Sequence, residues 1–339
     1  MKKILVTGGL GYIGSHTVVA LQETGFEVVV VDNLSNASID VLVGIESITG
    51  KAPQFERLEL RDKSAVADFF QSHPDLDGVI HFAASKAVGE SVENPLLYYE
   101  NNIHSLVYLL QNCKEYDVPN LIFSSSCTVY GEPDALPITE NAPIKEATSP
   151  YGNTKQINEE IIKDTCVASK LQAISLRYFN PIGAHETAHI GELPVGVPQN
   201  LVPFITQTAV GLREKLLVFG NDYPTKDGSC IRDYIHVVDL AEAHVVALQR
   251  LLDGKNKNSF EVFNVGTGKG SSVLEVITAF EEATGVSLSY EITDRRSGDV
   301  VSVYADTTKA NEALGWKAKK TMEEALASAW KWEQNIRNQ

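Results

Sequence analysis

The glycine-rich segment after the first apolar run places the strongest constraint on how this chain can fold. Residues 4–6 are apolar, and Gly8, Gly11 and Gly14 follow them at the start of a helical pattern. A second apolar run then ends at Asp32. This order predicts a β-strand, a helix and a second β-strand. Glycines at the strand-to-helix turn permit a tight turn and let the backbone approach a pyrophosphate at the helix N-terminus.

The glycine spacing fits two fingerprints, G-x-G-x-x-G counted from Gly9 and G-x-x-G-x-x-G counted from Gly8. An acid about 20 residues further on is the context that supports a dinucleotide site. Asp32 would accept a hydrogen bond from the adenine ribose, and its charge would repel a 2′-phosphate. No Arg or Lys lies between Asp32 and Lys51 to pair with such a phosphate. We therefore predict NAD rather than NADP; an Asp that only caps a turn is the alternative.

Composition narrows the class of protein and of partner. The chain has 339 residues, of which 43% are hydrophobic and 22% charged, as in ordinary globular proteins. Its net charge of −15 disfavours nucleic acid or an anionic membrane surface as a partner. The four cysteines lack paired or metal-like spacing, so we expect a reducing compartment and no metal site. We find no signal peptide and no apolar run of membrane-spanning length, so we expect the cytoplasm.

Strands and helices alternate through the first half of the chain, which predicts an α/β fold with a doubly wound parallel sheet of the Rossmann type. Predicted strands cover residues 54–60, 78–84, 121–126, 173–176 and 260–265, and predicted helices cover residues 64–71, 201–210, 239–252, 273–283 and the end from 321. An amphipathic stripe marks one more helix: Leu106, Leu109, Leu110 and Cys113. Residues 181–230 are rich in Gly, Pro and Asn. We predict an NAD-binding domain over residues 1–180, to which 232–265 return, and a smaller, discontinuous C-terminal lobe from residues 181–231 and 266–339.

Tyr151 and Lys155 form the clearest pattern for chemistry. Pro150 is well placed at a helix start, and residues four apart share a helix face. A cation beside a phenol favours the phenolate and would lower its pKa from roughly 10, which makes a general base for an alcohol proton. A surface Tyr and Lys on an ordinary helix is the alternative. The preceding predicted strand ends in hydroxyls at Ser124, Ser125 and Ser126, which could also be a solvated strand end.

Taken together, these features resemble the extended short-chain dehydrogenase/reductase superfamily. The resemblance is closer to the UDP-glucose (UDP-galactose) 4-epimerase family, and it spans nearly the whole chain. It rests on residues 7–16, 81–91, 124–131, 149–155, 177–185, 219–236 and 295–299. The resemblance implies an NAD-dependent isomerase of galactose metabolism that interconverts UDP-glucose and UDP-galactose through a 4-keto-hexose. Members of this family usually form homodimers through the helices that correspond to residues 95–113 and 151–169.

The resemblance also assigns roles to individual residues. Tyr151 would take the proton of the sugar 4-OH, Lys155 would lower the pKa of Tyr151 and bind the nicotinamide ribose, and Ser126 would bond the 4-oxygen. The implied cofactor contacts are Gly8, Gly11, Tyr12, Ile13, Gly14, Asp32, Asn33, Leu34, Ser35, Asn36, Ala37, Glu59, Leu60, Phe82, Ala83, Lys86, Asn101, Tyr151, Lys155 and Phe179. The implied UDP-sugar contacts are Lys86, Ser126, Tyr151, Asn180, Asn200, Leu201, Arg232, Arg296, Asp299 and Val303.

Four of these positions carry specific expectations. Arg232 and Arg296 would clamp the diphosphate, because the net charge of the chain repels anions. Val303 aligns with a position where some family members have Tyr. The smaller side chain predicts a roomier pocket, with interconversion of UDP-GlcNAc and UDP-GalNAc as a second activity. Position 59 is Glu where the family commonly has Asp, which still allows a carboxylate near the adenine.

Several alternatives remain open from the sequence. A nucleotide-sugar 4,6-dehydratase typically has an Asp-Glu pair after the strand-end hydroxyl, whereas Ser126 is followed by Cys127, Thr128 and Val129. A non-catalytic NAD-binding protein on the same fold is the second rival. For four sites a purely structural role is the alternative: a turn at Asn180, an ion pair between Arg232 and Asp233, a turn charge at Lys86 and a packed core histidine at His81.

Overall fold

The computed structural model describes residues 1–296 and 299–337. Ser297 and Gly298, which belong to the 295–299 motif, and residues 338–339 of the predicted C-terminal lobe lie outside the described residues. The strands are β1 (Lys3–Thr7), β2 (Glu27–Asp32), β3 (Gln54–Arg57), β4 (Gly78–His81), β5 (Asn120–Ser126), β6 (Gln172–Tyr178), β7 (Asn180–Ile182), β8 (Leu216–Phe219), β9 (Ile231–Arg232), β10 (Tyr234–His236), β11 (Phe260–Val265), β12 (Ser271–Ser272), β13 (Tyr290–Thr293) and β14 (Ser302–Val303). The α-helices are α1 (Tyr12–Glu23), α2 (Val41–Thr49), α3 (Lys63–Ser72), α4 (Val88–Glu93), α5 (Pro95–Tyr99), α6 (Ser105–Glu115), α7 (Pro150–Ala168), α8 (Leu201–Ala209), α9 (Val237–Leu252), α10 (Val273–Thr284) and α11 (Met322–Arg337).

A seven-stranded sheet in the order β11-β6-β5-β4-β1-β2-β3 forms the centre of the structure. All of its strand pairs are parallel. From β1 the sheet extends in one direction through β2 and β3 and in the other through β4, so the order reverses between β1 and β4. Open sheets of this kind bind ligands at that point, outside the carboxyl ends of the strands. The predicted fold class, doubly wound α/β, is confirmed.

Each face of the sheet is covered by apolar side chains from helices. One layer includes Val18 of α1, Ile45 of α2 and Leu240 of α9. The opposite layer includes helices α3, α6 and α7, and its residues contain the whole predicted stripe: Leu106, Leu109, Leu110 and Cys113. Because parallel strands are buried on both faces, they read as continuous apolar runs in the sequence. That property explains why the strands were predictable.

The C-terminal part has its own apolar cluster, built from α8, α10, α11, β8 and β10. Three small sheets lie beside it: β10 with β7, β13 with β8, and β12-β9-β14. Strand β11 pairs with β6 and so joins the central sheet, as predicted for residues 260–265. No described helix has both the length and the apolar character needed to cross a membrane.

Some predicted boundaries are wrong, and some elements were missed. The strand predicted over residues 54–60 ends at Arg57, and the one predicted over 78–84 ends at His81. Beyond those points the chain leaves the sheet, so there is no neighbouring strand to pair with. Helix α2 and strands β7 and β8 had no prediction. Strands of three or four residues are too short for a periodic pattern to indicate them.

Candidate active site

The glycine turn between β1 and α1 brings backbone very close to backbone. Gly8 has a φ of +66°, which favours glycine, and a Cβ there would lie 2.8 Å from the amide nitrogen of Ala83. A Cβ at Gly14 would lie 2.2 Å from the carbonyl oxygen of Gly8. Gly11 is the N-cap residue of α1, and among the described residues no side chain caps this helix end. The turn therefore leaves first-turn N–H groups available for an anion, which fits the pyrophosphate of NAD.

Asp32, at the end of β2, lies beside this turn. Its carboxylate accepts hydrogen bonds from the backbone N–H groups of Leu10, at 3.2 Å, and Leu34, at 2.9 Å. Burial raises the pKa of Asp32 from its ordinary value, and the two backbone bonds oppose that rise. Nearby, Asn33 donates to Glu59 at 3.1 Å, and Glu59 lines an open groove. The two acids thus lie on one side of the glycine turn, where an adenosine group would extend from the pyrophosphate.

The start of α7 is fixed by its cap. The Ser149 hydroxyl accepts a hydrogen bond from Gly152 N at 3.1 Å. Tyr151 and Lys155 are 8% and 3% exposed, so the alternative of a surface pair is wrong. The Lys155 Nζ lies 5.8 Å from the centroid of the Tyr151 ring, and Ser126 lies near enough to the Tyr151 phenol to lower its pKa. The three residues with predicted catalytic roles are therefore together.

Burial shifts the pKa values of both Tyr151 and Lys155 in the protein alone. Burial raises the pKa of the Tyr151 phenol well above its usual range, and Ser126 offsets only part of that rise. Burial also lowers the pKa of Lys155 to about 8, against the attraction of Glu159. The Lys155 Nζ donates to the carbonyl oxygen of Ser124 at 2.6 Å. In the protein alone, desolvation of the phenolate therefore outweighs the groups that favour it. The role of Lys155 in lowering the pKa of Tyr151 stays a prediction.

The three serines at the end of β5 have different partners. The Ser124 hydroxyl is 2.6 Å from the Tyr178 hydroxyl, and the Ser125 hydroxyl donates to Glu159 at 2.6 Å. Glu159 in turn accepts two bonds from Arg177, at 2.5 and 3.0 Å, and both side chains of this pair are buried. The alternative of a solvated strand end is therefore wrong. A buried ionic network supports the strand that carries Ser126.

Lys86 and Asn200 both contact a residue that the sequence did not single out, Glu192. Asn200 Nδ2 donates to Glu192 Oε1 at 2.5 Å, and Lys86 Nζ lies 3.6 Å from the same oxygen. Lys86 thus has an ionic partner outside its own turn, and its role in binding stays a prediction. An acid among the glycines and prolines of residues 181–231 has no spacing that could have indicated the contact.

Arg232 and Arg296 both approach Asp299. Arg296 donates to the Asp299 carboxylate at 2.7 and 3.2 Å, and Arg232 Nη2 lies 3.6 Å from it. Arg232 is further held by the carbonyl oxygens of Ile231 and Val300, at 2.9 and 2.7 Å. The arrangement places two guanidinium groups around one carboxylate, so a net positive charge remains for an anionic ligand.

The alternative pairing of Arg232 with Asp233 is wrong. Asp233 is fully buried and accepts bonds from the backbone N–H groups of Thr267, Gly268 and Ala305, and from the Thr267 hydroxyl. The Asp233 side chain is thus occupied by the chain segments around it, while Arg232 is directed to Asp299. Arg232 and Asp233 therefore make separate contacts and do not pair with each other.

The structure also decides the structural alternatives for Asn180 and His81. Asn180 belongs to β7 and pairs with Tyr234 of β10, so it is not merely a turn residue. His81 is 2% exposed and contacts the Thr7 hydroxyl at 2.7 Å. Burial lowers the pKa of His81 to about 3. The interpretation of His81 as a packed core histidine is confirmed.

The remaining predicted residues follow the same carboxyl edge of the sheet. Asn101 donates to the Ser85 hydroxyl at 2.9 Å, and Val303 packs in one buried cluster with Phe179 and Tyr130. Residues in the first turn of α1, after β2, after β3, after β4 and at the start of α8 account for the others: Tyr12, Ile13, Ser35, Asn36, Ala37, Leu60, Phe82, Ala83 and Leu201.

Comparisons with known proteins cover nearly the whole chain. The family model described as GDP-mannose 4,6 dehydratase matches residues 5–329. The chain is 50% identical to a UDP-glucose 4-epimerase of Bacillus subtilis over 331 residues, 97% of this chain and 96% of that protein. It is 49% identical to a UDP-glucose 4-epimerase of Drosophila melanogaster over 337 residues, 97% of this chain and 96% of that protein.

Solved structures show the same similarity. The UDP-glucose-4-epimerase from Stenotrophomonas maltophila, with bound NAD and formylated UDP-arabinopyranose, superposes with a TM-score of 0.96 at 46% identity, over 100% of this chain and 99% of that chain. The enzyme from Bifidobacterium longum, in complex with NAD+ and UDP, gives a TM-score of 0.94 at 46% identity, over 99% of both chains.

Proposed function

Since the chain belongs to the UDP-glucose 4-epimerase family, within the wider family that the dehydratase model describes, we propose that it interconverts UDP-glucose and UDP-galactose reversibly. The observation that carries this proposal is the buried group of Ser126, Tyr151 and Lys155 at the carboxyl edge of the sheet. Gly8, Gly11 and Gly14 of the glycine turn would hold NAD, which would supply a hydride acceptor for sugar C4 and a positive charge that favours the phenolate of Tyr151. The two sugars differ only at C4, so the reaction consumes no net oxidant.

We infer that Tyr151 accepts the proton of the 4-OH and returns it to the 4-oxygen of the opposite epimer. Ser126, which lies near the Tyr151 phenol, would bond the same sugar oxygen. Lys155 is held by the Ser124 carbonyl and adds a positive charge beside the phenol. Burial of all three side chains excludes water, which strengthens these interactions and protects the 4-keto sugar.

Arg232, Arg296 and Asp299 are the residues that we propose to anchor UDP. The Arg232 side chain is 18% exposed and fixed by two carbonyl oxygens, whereas the Arg296 side chain is 58% exposed. One arginine is thus preorganised, and the other is free to adjust to the diphosphate. Firm binding of the nucleotide with a loosely held hexose would let the 4-ketone rotate and present its opposite face to the returning hydride.

The dehydratase alternative lacks the groups that elimination needs. Its acid and base would follow the strand-end hydroxyl, but Ser126 is followed by Cys127, Thr128 and Val129. Burial raises the pKa of the Cys127 thiol to about 12, so this group is protonated near neutral pH and is a poor base. The non-catalytic alternative does not account for the joint burial of the catalytic trio.

Turnover of UDP-galactose to UDP-glucose by the purified protein tests the proposal. We expect Tyr151→Phe to lower kcat by roughly 100- to 10,000-fold, the range of general acid–base catalysis. Tyr290→Phe, on a 44% exposed tyrosine of β13, is the matched control and should retain full activity. Absence of UDP-hexose turnover in the wild type, or full activity of Tyr151→Phe, would refute the function.

A second activity, on UDP-GlcNAc and UDP-GalNAc, is proposed from Val303. This side chain is smaller than Tyr, and it lies in the cluster that contains Phe179 at the end of β6. We expect Val303→Tyr to remove turnover of the N-acetylated sugars while UDP-galactose turnover changes by less than about threefold, because only the larger group needs the space. If the wild type turns over UDP-galactose but not UDP-GlcNAc, the inference from Val303 is wrong.

We further propose a homodimer formed through α5, α6 and α7. Leu96 and Val167 are large apolar side chains on these helices and are 79% and 80% exposed. Leu96→Glu is expected to shift the protein toward a monomer in light scattering after size exclusion.

The four cysteines are free among the residues that the structure describes, which supports the proposed cytoplasmic location.

We also propose how NAD binding and UDP-sugar binding are divided between two domains of the chain. Residues 1–180 would form the NAD-binding domain, with 232–265 returning to it, and residues 181–231 and 266–339 would bind the UDP-sugar. The glycine turn and the catalytic trio lie in the first part, and Asn200 and Asp299 lie in the second. Protection from hydrogen exchange tests it: NAD alone should protect the first part, and UDP alone the second.

A further inference from the structure

Glu192 connects two parts of the chain that lie far apart in the sequence. Its carboxylate accepts a bond from Asn200 at 2.5 Å and lies 3.6 Å from the Lys86 ammonium. Lys86 follows β4 of the central sheet, and Asn200 precedes α8 of the C-terminal lobe. The Glu192 side chain is only 13% exposed, so water screens the pair incompletely. One carboxylate therefore bridges the cofactor side and the substrate side of the cleft.

The bond from Asn200 overrides a strong local preference. Asn200 is the N-cap residue of α8, where an Asn side chain usually accepts a bond from a first-turn N–H group. In the described part of the chain its side chain makes no such cap bond. The Asn200 amide nitrogen instead donates to Glu192, so this side chain ties the start of α8 to Glu192.

The backbone of Glu192 is fixed independently of its side chain. Its carbonyl oxygen accepts a bond from the Trp332 indole at 2.9 Å. The preceding Gly191 packs against the same indole so closely that a Cβ would lie 2.4 Å from the ring. Helix α11 thus holds the residue in place, and the carboxylate does not depend on the exposed segment that follows it.

We propose that Glu192 is a positioning residue that links Lys86 to Asn200 and thereby fixes the two sides of the cleft for binding of the UDP-sugar. The inference rests on the proposed function, because Lys86 and Asn200 are two of the proposed substrate contacts. Glu192 acts through them and does not touch the reacting carbon. Its loss should therefore weaken ground-state binding and leave the chemical step nearly unchanged.

Three variants separate the two contacts of Glu192. Glu192→Ala removes both and should raise KM for UDP-galactose about tenfold, with kcat within about threefold of wild type. Glu192→Gln keeps an acceptor for Asn200 but loses the charge, and should raise KM about threefold. In a Lys86→Met background, Glu192→Gln should change KM by less than twofold, because the ionic partner is already gone. Glu186→Gln, an exposed acid in the same segment, is the matched control and should leave both constants unchanged.

Binding of UDP, measured by calorimetry, keeps this test apart from the test of the reaction. UDP affinity should fall about tenfold in Glu192→Ala even if no UDP-hexose is turned over, in which case the proposed function fails and the positioning role stands. Thermal unfolding checks the fold; if Glu192→Ala does not fold, the Glu192→Gln and Lys86→Met pair decides. Unchanged UDP affinity, equal losses in kcat and kcat/KM, or additive effects in the double variant would overturn the proposal.

Discussion

Gly14→Ala is the perturbation whose effect can be worked out most directly from the structure. A Cβ at this position would lie 2.2 Å from the carbonyl oxygen of Gly8 and 2.9 Å from the Cα of Gly9. The turn must open by about 0.8 Å to restore even the 3.0 Å below which Cβ contacts essentially do not occur. Both neighbours are backbone atoms, so no flexible side chain can absorb the movement. Overpacking of this kind typically costs about 1–3 kcal/mol.

The larger expected effect is on the cofactor. The N–H groups of the first turn of α1 move with the glycine turn, and hydrogen bonds to a charged group are each worth about 1.5–3 kcal/mol. We therefore expect NAD affinity to fall at least about tenfold, read by calorimetry and by the nucleotide content of the purified protein. The melting temperature should fall by about 2–12 °C, since each 1 kcal/mol of the expected cost shifts a large domain by about 2–4 °C.

Gly89→Ala provides the matched control for Gly14→Ala. Gly89 lies within α4, and no heavy atom lies within 4 Å of a Cβ built there. Alanine should stabilise that helix slightly, by up to about 1 kcal/mol, and leave NAD affinity unchanged. If Gly14→Ala bound NAD as tightly as the wild type, the glycine turn would not be the pyrophosphate cradle, and the assignment of the cofactor site would fail.

Three further predictions concern the buried charges. Arg177→Met leaves the Glu159 carboxylate buried without its partner and should cost about 3–5 kcal/mol in urea unfolding; an unchanged midpoint would contradict this. Burial lowers the pKa of His81 to about 3 from 6.5, so between these values the unfolded chain binds the extra proton. His81 should therefore contribute a fall in stability of up to about 1.4 kcal/mol per pH unit as pH drops below about 6.5, and His81→Asn should reduce the slope by that share; an equal slope would argue against a neutral buried His81. Asp32→Ser removes the charge expected to repel a 2′-phosphate, so the NAD-to-NADP affinity ratio should fall at least about tenfold; an unchanged ratio would contradict that role.

Local sequence patterns predicted the strands of the central sheet and the main helices. The strands of the central sheet are continuous apolar runs because both faces are buried, and the stripe of Leu106, Leu109 and Leu110 follows the helical period. The short strands β7 and β8 and the helix α2 were not predicted from the sequence. The two strands are held by neighbours distant in sequence, such as β10 for β7, so their own residues carry little signal.

The site was predictable in its members but not in its energetics. Spacing placed Tyr151 and Lys155 on one helix face, and the structure buries both beside Ser126. The rise of the Tyr151 pKa in the protein alone could not be predicted, because desolvation depends on everything that packs around a phenol. Tyr98, for example, lies with its ring centroid 6.5 Å from that of Tyr151. No spacing rule contains that information.

By itself, the sequence determined the elements whose signals are local: the glycine turn, the acid at the end of β2, the parallel strands and the start of α7. Only the tertiary structure decided which groups meet across the cleft. It directed Ser125 to Glu159, Arg232 to Asp299, and both Lys86 and Asn200 to Glu192. Backbone geometry and hydrophobic period act over a few residues, whereas a contact between side chains distant in the sequence, such as Lys86 and Glu192, exists only once the packed core has fixed both ends.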